Sequence, residues 1–333
     1  MSGWNLPGGV ARCLAVLRGA GHAAHPVGGC VRDLLLGRRP GDFDVCTSAR
    51  PEETMALFDR TVPTGIKHGT ITVLTEDGPV EVTTFRREGG YADGRHPDGV
   101  SFDVGLTEDL ARRDFTINAM ALGPDGAVID PFGGRADLAA GLIRCVGDPD
   151  PRFAEDALRM FRALRFAAQL GFAIEDNTLA AIGRNAHRAA LVSGERIKIE
   201  LEKTLLSPRP EWAGEAIRMG LLAPLSAVKN CPDLTGLWEL PAEVIHRWRG
   251  FCGKTGFPLE RLPVERALRQ GVLHPEREAI KTLALSGGEL AALGLKGKEI
   301  GTVQKKLAEH ILAHPEDNRR EKLLALIPVG QAK

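Results

Sequence analysis

The sequence predicts an α+β fold: a mixed α/β head on a small sheet, followed by all-helical segments. Two observations carry that expectation. Short strand-like runs, DFDVCT (42–47) and ITVLTEDGPVEVTTF (71–85), are confined to the first part of the chain. Beyond residue 138 the apolar residues recur at helical spacing instead, between turns rich in Gly and Pro. The 333 residues are enough for two or more domains and a large core.

Val10, Leu14 and Leu17 lie at helical spacing within 9–20, and Gly21 stops that helix. A glycine turn at Gly28 and Gly29 leads into VRDLLLGR (31–38), a helix with one apolar face. DFDVCT reads as a strand, and 71–85 as a hairpin turning at Asp77-Gly78. FTINAMAL (115–122) reads as a buried strand or turn. RFAEDALRMFRALRFAAQLG (152–171) reads as one helix ended by Gly171. Further helices are expected at 175–192, 195–206 and 211–222, with Pro208 and Pro210 marking a joint between the last two. Helices are also expected across 228–280, and 285–327 reads as helix, glycine-rich turn, helix, helix. No long-period repeat or low-complexity tract is visible.

The densest chemistry lies in VGGCVRDLLLGRRPGDFDVCTSA (27–49). Asp42 and Asp44 are two residues apart, so on a strand they share a face and aim at one point. A bound cation relieves their repulsion; for an isolated pair the plainer alternative is a solvated loop. Gly28 and Gly29 let backbone approach a phosphate, and Arg32 is placed to meet a phosphate oxygen. Asp33 orients Arg32 or a backbone turn. Phosphoryl-type transfer needs in-line positioning and charge neutralisation more than covalent help. Mg2+ favours a few carboxylates plus phosphate and water oxygens. It is therefore the expected cofactor, held by Asp42 and Asp44.

A second constellation is a row of every third residue: Asp156, Arg159, Arg162 and Arg165. On one helix that row drifts slowly about the axis and spans about 13.5 Å. One end can meet a base and the other its phosphates. Cytosine and adenine each present an amino donor beside a ring-nitrogen acceptor. An Asp156–Arg159 pair accepts from the first and donates to the second. Guanine and uracil present the opposite order. The plainer alternative is a surface salt bridge worth ~0.2–0.5 kcal/mol.

With EVTTFRREGGYADGRHPDGVSF (81–102), RRDFTINAMA (112–121), DPFGGRADLAAGLIRCVG (130–147), EDALRMFRALRFA (155–167) and SGERIKIELEKTLL (193–206), the segment 27–49 resembles an ordered set of family motifs. The family is that of the bacterial-type (class II) CCA-adding tRNA nucleotidyltransferases and poly(A) polymerases. The likeness is loose beyond residue 206. It implies a nucleotidyltransferase head at 1–138, a helical neck that reads the base at 139–206, a helical body at 207–280 and a helical tail at 281–333. It implies Glu81 as a third catalytic carboxylate, with Asp77 as a rival already explained by its Asp-Gly turn. Arg113 matches a family arginine that contacts nucleotide. Arg32, Arg162 and Arg165 then neutralise or position nucleotide, while the matching Asp156 and Arg159 choose the base. Arg112 stays open between a salt-bridge partner and a primer contact. In the family a loop at 86–101 acts as a lever for the switch from CTP to ATP, so its retention implies competence for the terminal A. The implied activity is template-independent addition of CCA to tRNA 3′ ends from CTP and ATP, with release of pyrophosphate.

Composition narrows the partners. Lys plus Arg and Asp plus Glu number 43 each, which argues against indiscriminate polyanion binding. RNA contact must then use a local basic surface. Lys296, Lys298, Lys305 and Lys306, around GLKGKEIG, are candidates, with a solvated helix face as the alternative. The six cysteines are scattered without a CxxC pair, as in reduced cytosolic proteins. No signal segment is read, and no apolar run nears the ~18 residues of a membrane span. A cytoplasmic monomer with no membrane and no obligate protein partner is expected. Two other readings stand beside the first. One is an A-adding enzyme or poly(A) polymerase of the same family. The other is an inactive RNA-binding protein, which has no need of clustered carboxylates facing a polyanion.

Overall fold

In the computed structural model, which describes residues 4–89 and 99–327, the chain divides into the units Met1–Trp238 and Glu239–Lys333. The first begins with α1 (Gly8–Gly19), β1 (Ala24–Val27), α2 (Gly29–Leu35), β2 (Asp44–Thr47), α3 (Pro51–Leu57), β3 (Thr61–Gly65), β4 (Thr70–Thr75) and β5 (Gly78–Thr84). A short ribbon, β6 (Arg87–Glu88) and β7 (Val100–Ser101), precedes α4 (Leu106–Ala111), β8 (Ala121–Leu122), β9 (Val128–Ile129) and α5 (Gly134–Ala140). Seven strands form one mixed sheet in the order β3-β4-β5-β2-β1-β8-β9. β2 runs antiparallel to β1 and parallel to β5, with Asp44 directly opposite Glu81.

Strand alternation divides the work of this sheet. Val45, Val73, Val80 and Val82 face Val10, Leu14 and Leu17 of α1. Leu17 is fully buried, a contribution of about 2 kcal/mol. Cys46 turns to the other face, among Val27, Phe85, Leu110 and Ala121. Asp44, two residues earlier, shares that second face. At the hairpin tip, Asp77 accepts the Gly9 N–H at 2.6 Å, at the start of α1.

The rest of the unit is mainly helical. β10 (Leu142–Ile143) pairs with β11 (Ala173–Ile174) around α6 (Pro149–Glu155) and α7 (Leu158–Leu170), and α8 (Asp176–Asn185), α9 (Gly194–Leu205) and α10 (Trp212–Arg218) follow. The single helix expected over 152–171 is thus two. Asp156 is extended between them (φ −147°, ψ 105°), and its Oδ1 accepts the Leu158 N–H at 3.0 Å. Spacing hides this break, because a residue that competes for backbone N–H groups is poor within a helix and good at its start. Likewise, 175–192 is α8 plus a 3₁₀ turn at Ala186–Leu191.

The second unit holds α11 (Val244–Thr255), α12 (Arg266–Leu273), α13 (Pro275–Thr282), α14 (Gly287–Ala292), α15 (Lys298–Ala313) and α16 (Arg320–Ala325). Leu285, Leu290, Leu307 and Leu323 lie in its core. Among the described residues no helix is long and apolar enough to cross a membrane. Residues 90–98 of the expected lever loop lie outside the described residues.

Candidate nucleotide site

Gly28 caps α2 with φ +82° and ψ −131°, a conformation only glycine adopts without strain. A Cβ added there would stand 2.8 Å from Nη1 of Arg113. The absent side chain is therefore what admits the guanidinium. Asp109 of α4 holds it from behind: Arg113 Nη2 donates to Oδ2 at 3.3 Å. Oδ1 of the same wholly buried carboxylate accepts Nε and Nη2 of Arg112 at 3.0 and 2.8 Å. Arg112 is thus a salt-bridge partner. Nε of Arg113 is buried without a hydrogen-bond partner among the described residues.

Asp42 is exposed just ahead of β2, Asp44 is half-buried at its first position, and Glu81 is exposed across from it on β5. Burial and the Asp42 charge push the Asp44 carboxyl up to about 6; Arg113 opposes the shift and Glu81 adds to it. Among the described residues none of these three carboxylates forms an ion pair. Among the described residues, no three His, Cys, Asp or Glu side chains already stand as a metal-ligand group. The donor chemistry nonetheless suits a hard divalent cation: oxygen ligands, surplus negative charge, and a repelled carboxylate that a cation would relieve.

The arginines form a connected system. Arg32 donates to Asp33 at 2.9 Å and to Asn118 Oδ1 at 2.7 Å. Asn118 donates to Asp114 at 3.2 Å, and the other Asp114 oxygen accepts Arg162 Nε at 2.8 Å. Glu200 of α9 pairs with Arg165 and stands 3.9 Å from Arg162. The guanidinium carbons of Arg32, Arg162 and Arg165 lie 5.2, 5.3 and 3.9 Å from the centre of the Phe166 ring. Burial alone would raise Asp114, but Arg162, hydrogen bonds and Arg159 hold its carboxyl down to about 2.

Asp156 is gripped bidentately by Arg196 of α9, with Nη1 and Nη2 at 3.1 and 2.7 Å. Arg159 donates to Glu155 at 2.5 Å, to the Arg152 carbonyl at 3.2 Å and to the Arg112 carbonyl at 3.0 Å. The last bond ties the start of α7 to the residue beside Arg113, the arginine that faces Asp44. The structure therefore brings Asp42, Asp44, Glu81, Gly28 and Arg113 to one end of the sheet, with Gly29 opening α2. Arg32, Arg162 and Arg165 meet around Phe166.

The four lysines lie in the other unit, all exposed. Lys298 and Lys306 share a recess of about 300 Å³, Lys305 faces Glu309 at 3.9 Å, and the Lys296 N–H donates to Glu299 at 3.0 Å. Sequence reading missed Asp109, Arg196 and Glu200. The first was legible as an i,i+3 and i,i+4 partner of Arg112 and Arg113. Arg196 and Glu200 lie 40 and 35 residues from their partners and leave no local signal.

A mixed sheet ending in opposed carboxylates, faced by a glycine turn and backed by an arginine helix, is the frame of a nucleotidyltransferase head. Residues 24–144 match the family model described as the Poly A polymerase head domain, and 171–227 that of a probable RNA and SrmB- binding site of polymerase A. The chain is 46% identical over 259 residues to a CCA-adding enzyme of Anoxybacillus flavithermus, covering 75% of this chain and 64% of that protein. Identity to a CCA-adding enzyme of Geobacillus kaustophilus is 53% over 247 residues, 71% of this chain and 60% of that one. The crystal structure of the Bacillus stearothermophilus CCA-adding enzyme in complex with CTP matches with a TM-score of 0.73 at 32% identity, covering 97% of this chain and 84% of that one. The chain belongs to the family of CCA-adding tRNA nucleotidyltransferases and poly(A) polymerases. It spans less than two thirds of the length of these curated relatives, 64% and 60%. Membership implies a divalent cation in general.

Proposed function

We propose that the protein adds CCA to the 3′ end of tRNA from CTP and ATP without a nucleic-acid template, releasing pyrophosphate, with Mg2+ as its cation. The observation that most supports this is the link, through Arg112 and Arg113, between an unbalanced carboxylate set and the start of α7. The identity to CCA-adding relatives supports the choice of product. The head, neck, body and tail division, a cytoplasmic location and a monomeric state belong to the same proposal.

Bound Mg2+ would supply charge neutralisation and activation of the RNA 3′-hydroxyl for in-line attack on the α-phosphate. Asp42 and Asp44 would hold it, with Glu81 assisting from β5. Arg32, Arg113, Arg162 and Arg165 orient and neutralise the nucleotide. Asp156 accepts from the amino group of cytosine or adenine, and Arg159 donates to the ring nitrogen. An ionised carboxylate only accepts, so it turns away the carbonyl of guanine or uracil. Arg196 occupies one lone pair of each Asp156 oxygen and the Leu158 N–H takes the second of Oδ1, which leaves one on Oδ2 for a base.

The test is product length. Purified protein is incubated in Mg2+ with tRNA lacking its end, or ending in C or CC, with CTP and ATP alone and together. Addition of two C residues and then one A is expected. Poly(A) on arbitrary RNA, or A addition only after CC, would move the protein to the A-adding side of its family. No product at all would leave an RNA-binding protein.

A further inference from the structure

Three arginines of the site converge on one aromatic ring. Arg162 and Phe166 are a turn apart on α7, Arg165 adjoins Phe166 in sequence, and Arg32 comes from α2. Their guanidinium carbons stand 5.3, 3.9 and 5.2 Å from the centre of the ring, each within the ~6 Å reach of a cation–π contact. The ring is buried and meets Phe115 edge to face, with centroids 5.8 Å apart and planes at 83°. A close-packed position with an aromatic partner fixes its plane.

Like charges so close repel, and carboxylates answer only part of the repulsion. Asp33 pairs with Arg32, Asp114 with Arg162 and Glu200 with Arg165. Glu200 also stands 3.9 Å from Arg162, but among the described residues no carboxylate pairs with all three. Phe166 touches all three. Each fork is moreover engaged on part of its donors. Arg162 gives Nε and Nη2 to Asp114, and Arg165 gives Nε to Glu200 and Nη1 to Gln169. Arg32 gives Nε to Asp33 and Nη1 to Asn118. A guanidinium carries five N–H donors, so each keeps some for a further acceptor. The cluster also adjoins the glycine turn: a Cβ on Gly29 would lie 3.6 Å from Nη2 of Arg32. Forks with spare donors beside a turn that admits a phosphate suit a polyphosphate chain.

We propose that Phe166 is a positioning residue for the triphosphate. Its ring gathers Arg32, Arg162 and Arg165 into one cluster whose remaining donors meet the phosphates common to CTP and ATP. The inference rests on the role proposed above for those arginines. It gives the two ends of α7 separate tasks: the ring sets how tightly any nucleotide is held, while Asp156 and Arg159 set which base is accepted.

The experiment replaces Phe166 of the full chain by mono-, di- and trifluorinated phenylalanine. Fluorine withdraws electron density from the ring face and nearly preserves its shape. KM is measured for CTP on tRNA lacking its end and for ATP on tRNA ending in CC, with CTP-over-UTP selection and melting temperature beside them. Both KM values should climb together with each fluorine, to about tenfold with three, the scale of a desolvated cation–π contact. Selection and melting temperature should hold. The same series at Phe115, which meets Phe166 but no guanidinium among the described residues, should leave both KM values unchanged. Flat KM values across the Phe166 series, while the parent protein incorporates CTP, overturn this inference alone. A rise for one nucleotide only, or a loss of CTP-over-UTP selection, gives the ring to the base and also overturns it. Equal rises in the two series trace the effect to the contact between the rings, and a melting temperature that falls in step with KM traces it to the fold; either overturns it as well. A parent protein that neither binds nor incorporates nucleotide overturns the inference and the proposed function together.

Discussion

At the sheet end, Asp42, Asp44 and Glu81 form no ion pair among the described residues, whereas along α7 Arg159, Arg162 and Arg165 each rest on a carboxylate. In the first region burial and then the neighbouring Asp42 charge raise the Asp44 carboxyl. The second holds attraction, visible in the lowered Asp114 carboxyl. A ligand therefore enters the two regions on different terms. On the proposed function, a cation would supply what is missing at the sheet end. On the same proposal, a base at α7 would have to share or displace partners already in place. Charges at the first site cost the fold, and those at the second support it.

Substitutions can break that contrast. The largest effect is expected from Asp44→Asn, which should lower CTP incorporation by about 10²–10³-fold, the scale of losing one electrostatic stabiliser. The same variant should melt no earlier than the parent, because it removes a repelled, half-buried charge. A clear drop in melting temperature would mean that Asp44 is structural.

Asp114→Asn should do the reverse for stability. It leaves Arg162 without its principal partner and should destabilise the fold by about 3 kcal/mol in denaturant titrations. Acid unfolding sharpens the point. The Asp114 carboxyl lies at about 2, below its ordinary 3.8, so its contribution is full above the ordinary value. That contribution fades as pH falls from about 4 towards 2. The acid limb of the stability curve should flatten in the variant. An unaltered limb would show that Arg162 does not hold the carboxylate in solution.

Gly28→Ala tests how closely Arg113 is seated. Backbone strain and the clash with Nη1 should together lower stability by about 2 kcal/mol and raise the KM for CTP. Arg196→Met is expected to have the mildest effect on stability and a specific one on choice. Freed from its bidentate partner, Asp156 should discriminate CTP from UTP about fivefold less well in competition assays, the lower end of what a bidentate contact contributes. Unchanged discrimination would make Arg196 a purely structural brace between α7 and α9.

The parts of this site that were legible in the sequence are those whose partners lie nearby along the chain. Asp42 and Asp44 share a strand, and the glycine turn announces itself. The hairpin at 71–85 formed as β4 and β5, turning where Asp-Gly predicts. The row from Asp156 to Arg165 was legible as spacing but not as geometry. Its first member left the helix, because a capping bond to Leu158 and the grip of Arg196 outweigh local propensity. Asp114 and Glu200, which bind Arg162 and Arg165, come from segments far along the chain. Long-range pairing of this kind is a property of the packed fold, and periodicity carries no trace of it.

The parallel pairing of β2 with β5 has one further consequence. Glu81 reaches its position through strand register, Asp44 against Glu81 and Val45 against Val82, not through the shape of the hairpin tip. A slip of a single residue would set Val82 against Asp44 and send the acid towards the apolar side beneath α1. At the tip itself the one tie described is that of Asp77 to the Gly9 N–H, while the frame of the ladder beyond it is locked.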